Sequence, residues 1–526
     1  MTLSSRARRL RVLLITEGTY PYHFGGVSTW CDSLVRGLPD VDFALMSLIS
    51  GPGLVPLYTP PPNVVERRIV PMWGVLAARE TQPRFGFADL GRRARTSDSA
   101  VVRDLVPALT EFLSDVWLGS GDPWPLASSL HRLYRFGLEY DLDAALRSLP
   151  VWKCFVRTAA EYFPRVAREH GYPTATFQLS DLSGGAQWVR HLLFPIARRL
   201  PHANVAHAAM AGACSLVALC AKLEHGAAFL LTEHGVYLRE AYLAGAAASD
   251  SLFTKLLQLR FARRITEVTY VLADQISPCC DYNKRWELRL GADPGRLKTI
   301  YYGVDSTAFK PSDEAPRARP TNVVWVGRIN PLKDLKTLIS AAAVVKASRP
   351  DVRFLLYGSA AAEDTEYHQD VLNLRTQLGV EDVVEFRGYI ARPVEAYNQG
   401  DLVVLSSVSE AFPFSVLEAM LCARPIVATA VGGVPEEIAG CGIAVEPRNP
   451  QAMADAILEL LNDPARCAAL GRAARVKAVE QFSLEACCAT HRATYAGLAT
   501  LAAEEQPDVR TVQCKDLPEQ SIAWSW

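Results

Sequence analysis

The sequence predicts an α/β protein of two doubly wound domains, and three observations support this prediction. Short apolar runs typical of buried strands alternate with helical patterns in two parts of the chain, one beginning at residues 12–15 and the other at residues 322–326. A polar, proline-rich stretch that ends at Pro320 separates the two parts and is typical of a domain linker. A chain of 526 residues is also too long for a single hydrophobic core.

The composition excludes several classes of function. With 55 basic and 56 acidic side chains, the formal charge of -1 provides no general attraction to nucleic acid or to an anionic membrane. The 12 cysteines show no zinc-binding spacing, so we expect reduced, mostly buried thiols and a cytoplasmic protein. Residues 205–221 come nearest to a membrane span, but His207 and many small residues favour a buried helix with its connections. Membrane association would therefore need a partner protein.

The first domain is expected to cover residues 1–308. Its first strand, at residues 12–15, leads into a long loop that ends in Gly25 and Gly26, and a helical pattern follows. Further strands of this domain are predicted at residues 42–48, 203–207, 228–232 and 267–272.

Residues 51–175 break this alternation of strands and helices. The stretch contains proline clusters, an arginine-rich patch at residues 92–95 and amphipathic helical patterns at residues 101–112 and 126–146. We interpret it as a mainly helical insertion in the first domain. Acceptor binding, partner docking and simple packing all stay open as its role.

The second domain is expected to cover residues 309–483. Its predicted strands are residues 322–326, 353–357, 383–386, 402–405 and 425–429. Each ends in a turn rich in glycine, small or charged residues, as expected at the nucleotide-binding edge of a doubly wound sheet. A helix at residues 484–503 is expected to pack back towards the first domain, and residues 504–526 are expected to form a loosely ordered tail.

Two glutamates flank a strand-to-helix turn in the second domain. The stretch from Ser409 to Glu418 follows the predicted strand at residues 402–405 and precedes a helical pattern, which places Glu410 in the loop. Free backbone N–H groups and the partial positive charge of a helix N-terminus favour a phosphate there, while the carboxylates suit hydroxyl groups. Hydroxyls and phosphate together indicate a nucleotide sugar. Ser415 and Glu418 also have the spacing of a capping box, which would give Glu418 a purely structural role.

Two cations lie on the turn after the first strand of the second domain. Arg328 and Lys333 are close enough in sequence to converge on a diphosphate, the arginine as a fork and the lysine as a point charge. An ordinary charged loop at a helix start is the alternative.

The corresponding edge of the first domain carries weaker signals. Gly25 and Gly26 would let the backbone approach a ligand closely, although a glycine pair often forms only a turn. His234 follows the predicted strand at residues 228–232 and would face the same edge in a parallel sheet. A structural role for this histidine is also open.

These motifs resemble those of the retaining glycosyltransferases of family four, whose two Rossmann-like domains face each other across a cleft in the GT-B arrangement. The resemblance covers residues 11–50 and 187–498 and rests on the Glu-x7-Glu and Gly-Arg-x4-Lys motifs described above. Residues 17–30 and the Leu-Ser-Asp-Leu-Ser-Gly-Gly segment at residues 179–185 are most similar to family members that assemble Pel exopolysaccharide.

The resemblance implies a role for each of these positions. Arg328 and Lys333 would bind the donor diphosphate and stabilise it as it leaves. Glu418 would bind the ribose hydroxyls and Glu410 those of the transferred sugar, while His234 would contact the sugar or line the reaction centre. The remaining donor contacts that the resemblance implies are Gly25, Gly26, Tyr389 near the base, and the backbone at Ala411, Phe412, Pro413 and Phe414.

The resemblance also implies the reaction and its partners. The donor would be a UDP-sugar such as UDP-glucose, and the acceptor a growing polysaccharide assembled with inner-membrane synthase proteins. No metal ion or other cofactor is implied, because cationic side chains and a helix N-terminus stabilise the leaving group. Transfer with retention by front-face attack is the implied mechanism, with Glu410 as a covalent nucleophile as its alternative.

Three other functions compete with this hypothesis. A sucrose- or trehalose-type synthase shares the arrangement and differs in its acceptor. A non-catalytic nucleotide-sugar sensor or scaffold of a membrane synthase would not require an intact Glu410 and Lys333. A nicotinamide dehydrogenase is disfavoured because no dinucleotide fingerprint follows the first strand.

Overall fold

The computed structural model describes residues 9–72, 87–119, 121–247, 250–312 and 321–504. It contains two lobes, each built on a parallel six-stranded sheet with helices between the strands, which confirms the predicted fold class. Most of the predicted linker and all but the first residue of the predicted tail lie outside the described residues.

The first lobe is built on a doubly wound sheet. Its strands are β1 (Arg11–Glu17), β2 (Asp42–Ile49), β3 (Val64–Pro71), β4 (Val205–Ala208), β5 (Ala228–Glu233) and β6 (Gln275–Pro278). Their spatial order is β3-β2-β1-β4-β5-β6, with parallel neighbours throughout. The strand order reverses at β1, so the loops after β1 and β4 border a crevice at the carboxyl edge.

The second lobe repeats this topology. Its strands are β7 (Asn322–Val326), β8 (Arg353–Tyr357), β9 (Val384–Gly388), β10 (Leu402–Leu405), β11 (Ile426–Thr429) and β12 (Gly442–Val445). The spatial order is β12-β11-β10-β7-β8-β9, again parallel throughout. The switch point therefore lies between β7 and β10.

Helices connect the strands of both sheets. Those of the first lobe are α1 (Gly26–Gly37), α2 (Phe87–Arg95), α3 (Asp98–Ala100), α4 (Val106–Leu118), α5 (Trp124–Glu139), α6 (Leu142–Leu146), α7 (Leu149–Glu169), α8 (Leu179–Leu193), α9 (Ala213–His225), α10 (Tyr237–Ala247), α11 (Leu252–Leu272) and α12 (Asp281–Arg289). Those that follow are α13 (Leu335–Ser348), α14 (Thr365–Gln377), α15 (Pro393–Gln399), α16 (Phe414–Leu421), α17 (Val434–Glu437), α18 (Pro450–Asn462), α19 (Pro464–Gln481) and α20 (Leu484–Glu504).

The stretch predicted as a helical insertion is helical from α2 to α7 but also contains β3, which the sequence analysis did not predict. Among the described strands it pairs only with β2, at the edge of the sheet, and its side chains alternate between partly buried and exposed positions. An edge strand of this kind lacks the continuous apolar run that identified the central strands. The short strands β6 and β12 were missed as well.

The strand predicted at residues 267–272 is wrong, because these residues form the C-terminal end of α11. Their β-branched and aromatic side chains favour a strand locally. In the structure Val268 and Tyr270 are instead buried on a 21-residue helix that packs in the core of the first lobe. Tertiary packing has overridden local propensity here.

One hydrophobic core is shared by both lobes. It includes Trp30 and Tyr302 beside the first sheet and Phe412 and Phe482 beside the second. Separate cores lie between the first sheet and the insertion helices, and between the second sheet and α13 and α18. The shared layer holds the carboxyl edges of the two sheets against each other.

The C-terminal helix α20 returns to the first lobe after the chain has built the second. The Tyr495 hydroxyl lies 2.7 Å from His207 Nδ1, and Arg492 pairs with Asp40 at 2.8 Å. At the start of α20, the backbone of Leu484 donates to Val304, while Val304 donates to the residue that follows α19. The two chain segments that link the lobes are therefore paired.

Residues 205–221 form β4 and part of α9. No helix in the described ranges combines the length and the apolar character that crossing a membrane requires. The described cysteines form no disulfide, and all but Cys467 are buried.

Two buried carboxyl groups in the first lobe make its stability depend on pH. Glu233 accepts a hydrogen bond from the Tyr270 hydroxyl at 2.8 Å, whereas neither carboxyl oxygen of Glu287 has a partner. Burial raises the pKa of Glu233 to about 8 and that of Glu287 to about 9. The native state thus keeps protons that the unfolded chain releases near pH 4.5. Stability therefore falls as pH rises from there, up to about pH 8 for Glu233 and about pH 9 for Glu287, by about 1.4 kcal/mol per pH unit for each group.

We expect Glu287→Gln to reduce this alkaline loss of stability, because a neutral amide removes one of the two titrating groups. The thermal midpoint of the variant minus that of the wild type should increase progressively between about pH 5.5 and about pH 8.5. Glu161→Gln, on the exposed surface of α7, is the matched control and should follow the wild type at every pH. A constant difference between Glu287→Gln and wild type across this range would contradict the prediction.

Candidate active site

Lys333 lies at the end of the loop after β7, immediately before a helix. A single 3-10 turn at Pro331–Lys333 ends this loop, and the Asn330 side chain accepts a hydrogen bond from the Lys333 backbone N–H at 3.2 Å. Asp334 follows with a left-handed backbone (φ 42°) and caps α13 by accepting from Thr337. The chain therefore fixes the Lys333 backbone at the carboxyl edge of the sheet, next to the switch point.

Lys333 and Glu410 form an ion pair across the switch point. The distance from Lys333 Nζ to Glu410 Oε1 is 2.6 Å, and the Ser407 hydroxyl donates to the same oxygen at 2.6 Å. Both charged side chains are largely buried. A partly buried pair of this kind is screened by solvent much less than a surface pair.

The backbones of the two loops are also joined. The Ser406 hydroxyl donates to the Lys333 carbonyl at 2.7 Å, and the Val408 N–H donates to the Leu332 carbonyl at 2.8 Å. Thr429, at the end of β11, donates to the Ser407 carbonyl at 2.6 Å. These bonds preorganise the Lys333–Glu410 pair, because neither loop can shift without breaking several of them.

Helix α16 begins at Phe414 and has no side-chain cap. Pro413 occupies the cap position with an extended backbone, so Ser415 lies inside the helix and the capping box that the sequence permitted is not formed. The Ala411 carbonyl accepts from the backbone of Gly433 at 2.8 Å, and the side chain of Phe412 is buried in the shared core. Uncapped N–H groups in the first turn remain available for an anion.

Glu418 lies one turn into α16 and accepts a hydrogen bond from the Tyr397 hydroxyl at 2.8 Å. Burial raises the pKa of Glu418 to about 7, and the tyrosine only partly offsets this. A carboxyl group held by one donor and close to its titration point retains capacity to accept hydroxyl groups.

Arg328 and Tyr389 lie on loops at the same edge of the sheet. Arg328 is exposed and makes no hydrogen bond or ion pair with the described residues. The Tyr389 side chain, just beyond β9, is 74% exposed. The structure therefore brings Lys333 and Glu410 together but leaves these two predicted donor contacts apart from the pair.

The first lobe presents a second uncapped helix N-terminus. Gly25 precedes α1 with an extended backbone, and α1 has neither a side-chain cap nor an acidic residue in its first turn. A Cβ atom on Gly26 would lie 3.5 Å from the ring of Phe414, which places the start of α1 against the start of α16. Two partial positive charges thus face each other across the cleft, an arrangement that favours an anion between the lobes.

His234 lies directly after β5 at this edge. Its Nδ1 atom is 2.7 Å from the Tyr302 hydroxyl, and its ring contacts that of Trp30 edge-on at 4.5 Å. The Nε2 atom is buried and has no hydrogen-bond partner. Burial lowers the pKa of His234 to about 3, with a further contribution from His491, so the imidazole is neutral at physiological pH.

A further feature of the site is the distribution of potential metal ligands in the residues that the structure describes. In these ranges no group of three or more histidine, cysteine, aspartate or glutamate side chains has the geometry to hold a metal ion. The charged centre of the site is the Lys333–Glu410 pair.

Comparison with known families identifies the family of the first lobe. Residues 10–295, more than half of the chain, match the family model described as Domain of unknown function (DUF3492). The chain belongs to the DUF3492 family. In this DUF3492 protein, residues 320–463 also match the model of glycosyl transferases group 1, so the second lobe is a glycosyltransferase domain.

Curated relatives match part of the DUF3492 protein. It is 32% identical over 265 residues to D-inositol 3-phosphate glycosyltransferase 2 of Catenulispora acidiphila, covering 47% of this chain and 59% of the relative. It is 33% identical over 230 residues to D-inositol 3-phosphate glycosyltransferase of Kribbella flavida, covering 41% and 54%. The chain thus spans little more than half the length of these relatives.

Solved structures match almost the whole DUF3492 chain. Sucrose-phosphate synthase of Thermosynechococcus elongatus aligns with a TM-score of 0.60 at 17% identity, covering 94% of this chain and 100% of that one. HepE of Anabaena, crystallised with UDP, aligns with a TM-score of 0.57 at 16% identity, covering 93% and 100%. These likenesses confirm the GT-B arrangement of two Rossmann-like domains.

Sequence reasoning missed three residues of this site in the DUF3492 protein. Arg239 donates to the Ser409 hydroxyl at 3.1 Å and so joins the lobes beside Glu410. Tyr302 holds His234, and Glu437 is completely buried close to Glu410 with neither oxygen paired, so burial raises its pKa well above its ordinary value. No local pattern marks these residues, because their contacts are to distant parts of the chain.

Proposed function

We propose that this DUF3492 protein is a retaining hexosyltransferase that moves a sugar from a UDP-sugar such as UDP-glucose to a growing exopolysaccharide. The observation that carries the proposal is the Lys333–Glu410 pair at the switch point of the second sheet. A cation suited to phosphate and a carboxylate suited to hydroxyls meet there, beside the uncapped N-terminus of α16.

The reaction develops charge where these groups lie. Breaking the glycosidic C–O bond makes the sugar cationic and leaves negative charge on the departing diphosphate. Lys333, Arg328 and the first turn of α16 stabilise the leaving group, with the N-terminus of α1 opposite. Because Lys333 is paired with Glu410 in the structure, donor binding exchanges this partner for phosphate and frees the Glu410 carboxylate for the sugar hydroxyls.

Retention follows from front-face attack. The acceptor hydroxyl attacks the anomeric carbon on the face from which the diphosphate departs, and the departing phosphate oxygen takes the hydroxyl proton. The new C–O bond therefore forms with the configuration of the old one. The protein supplies orientation and charge stabilisation, and the leaving group acts as the base.

Glu418 and Tyr389 complete the donor site in this proposal. Glu418, held by Tyr397, accepts the ribose hydroxyls, and the backbone near Tyr389 meets the base. His234 contacts the transferred sugar from the first lobe. A uridine nucleotide is supported by the structures of HepE from Anabaena, which were determined with UDP and with UDP-glucose.

The acceptor assignment rests on the amino-terminal stretch at residues 17–30, which resembles PelF, the glycosyltransferase of Pel exopolysaccharide assembly. The second resembling segment lies in α8, where a Cβ atom on Gly185 would be 3.0 Å from the rings of Phe155 and Phe253. This glycine therefore allows α8 to pack closely on α7 and α11. We propose inner-membrane Pel synthase proteins as the partners that receive the polysaccharide product.

A donor screen tests the proposal directly. Purified protein is mixed with uridine, guanosine and adenosine diphosphate sugars, with and without Pel oligosaccharide, and release of the nucleoside diphosphate is measured. We expect turnover with one uridine diphosphate sugar and its loss in Glu410→Ala. The anomeric configuration of the product is then determined by NMR.

Each outcome of the screen decides part of the proposal. An inverted anomer would overturn the front-face mechanism. Saturable binding of a nucleotide sugar without turnover, even with acceptor and membranes present, would replace the transferase with a sensor or scaffold. Release that requires sucrose- or trehalose-type acceptors would overturn the exopolysaccharide assignment.

A further inference from the structure

Tyr302 occupies a distinctive position between the lobes. Its ring stacks on that of Phe414, the first residue of α16, with centroids 4.8 Å apart and planes inclined by 9°. Its hydroxyl lies 2.7 Å from His234 Nδ1, and the Cys279 thiol lies close to it. One side chain thus connects the histidine of the first lobe to the helix that carries Glu418.

The acceptors near the Tyr302 hydroxyl indicate which nitrogen of His234 carries the ring proton. The Cys279 thiol donates to the His234 carbonyl at 3.4 Å, which leaves its sulfur as a weak acceptor. The single Tyr302 proton can go to this sulfur or to His234 Nδ1, and an imidazole nitrogen is much the stronger acceptor. Tyr302 therefore donates to Nδ1, and because the buried imidazole is neutral, Nε2 carries the ring proton.

The remaining contacts fix the ring in place. Trp30 packs edge-on against His234, and the hydrogen bond from the Cys279 thiol anchors the His234 backbone. Nε2–H has no partner in the structure and is the one polar atom of the ring left to meet a ligand. Such an arrangement presents a hydrogen-bond donor of defined direction, which suits a hydroxyl oxygen.

We propose that Tyr302 is a positioning residue that holds His234 as the Nε2–H tautomer and orients it towards a hydroxyl oxygen of the donor sugar. The inference rests on the proposed transferase function for the identity of that ligand. The tautomer itself does not depend on it. Because Tyr302 also stacks on Phe414, the orientation of His234 depends on the packing of the two lobes against each other.

Nitrogen NMR of selectively 15N-histidine-labelled protein tests the tautomer without any reaction. The His234 signals are assigned by their loss in His234→Gln, and the protonated and unprotonated ring nitrogens are distinguished by their well-separated 15N shifts. We expect a proton on Nε2 in the wild type and a mixture of tautomers in Tyr302→Phe. A proton on Nδ1 in the wild type, or an unchanged tautomer in Tyr302→Phe, would overturn the proposal.

Kinetics test the positioning role in the reaction. Tyr302→Phe keeps the stack on Phe414 and removes only the hydroxyl, so we expect kcat to fall by about tenfold to 100-fold while KM for the donor stays within about twofold. Tyr301→Phe is the matched control, since the Tyr301 ring packs on Phe412 and Phe482 and its change removes a hydroxyl from the neighbouring position. It should keep wild-type kcat.

The two proposals can fail separately. If the wild type turns over no nucleotide sugar but shows the expected tautomers, the proposed function fails and the positioning of His234 stands. If the wild type is active and Tyr302→Phe matches Tyr301→Phe in kcat, the positioning role is overturned. Thermal midpoints of both variants show whether either result reflects a loss of folding.

Discussion

Replacing Lys333 by alanine is expected to lower the rate of sugar transfer by about 100-fold to 1000-fold, the loss typical of removing one group that stabilises developing charge. The ammonium group is fixed at the switch point by its ion pair at 2.6 Å and by the hydrogen bonds of its own backbone. In the proposed mechanism, the leaving diphosphate then keeps only Arg328 and the helix N-termini as stabilising groups. Single-turnover assays of nucleoside diphosphate release measure the effect.

The matched control for this prediction lies one turn further along the chain. Lys336 is on the exposed side of α13 and pairs with Asp370 at 2.8 Å, so Lys336→Ala removes the same charge from the same helix start. It should retain most of the activity. Equal losses in the two variants would mean that the lysines act only through the overall charge of the lobe.

Replacing Gly432 by alanine is expected to disrupt the Glu410 loop. Gly432 has a φ of 57°, and a Cβ atom there would lie 1.7 Å from the Glu410 carbonyl oxygen. A left-handed backbone costs a non-glycine residue about 1–2 kcal/mol, and the clash adds about 1–3 kcal/mol. The Glu410 backbone must move to relieve the clash, and a displacement of about 1 Å in a group that positions the substrate, the role proposed for Glu410, costs about 100-fold in rate.

Gly440→Ala separates the cost of a left-handed backbone from the cost of the clash. Gly440 has a φ of 79°, but a Cβ atom there would meet nothing within 4 Å. This variant should lose about 1–2 kcal/mol of stability and keep its rate of transfer. Thermal midpoints and initial rates measured on both variants give the comparison, and wild-type activity in Gly432→Ala would show that Glu410 does not need its present position.

The strands that were predicted and those that were missed differ in their burial. The central strands β1 and β7 have continuous apolar sequences because both faces of a parallel sheet are covered, and this pattern is visible without a structure. The edge strand β3 is half exposed, and the end of α11 is rich in β-branched residues. Local sequence misleads in both places, since their secondary structure depends on what packs against them.

In the candidate site, too, some features were visible in the local sequence and others depended on packing. A strand followed by a turn and an apolar helix placed Glu410, Glu418 and Lys333 at the carboxyl edge of a sheet from sequence alone. The sequence left two roles open for Glu418, and only the start of α16 at Phe414 excluded the capping box. The residue at which a helix begins is decided by the packing of its first turn, which no local pattern specifies.

The sequence by itself determined the two doubly wound lobes and the loops that carry the charged residues, because strand and helix periodicity are local properties of the chain. Only the tertiary structure decided which side chains meet. Lys333 and Glu410 are 77 residues apart, His234 and Tyr302 are 68 apart, and Arg239 and Ser409 are 170 apart. Such contacts depend on strand order within each sheet and on the shared core that sets one lobe against the other, and neither is encoded in a short stretch of sequence.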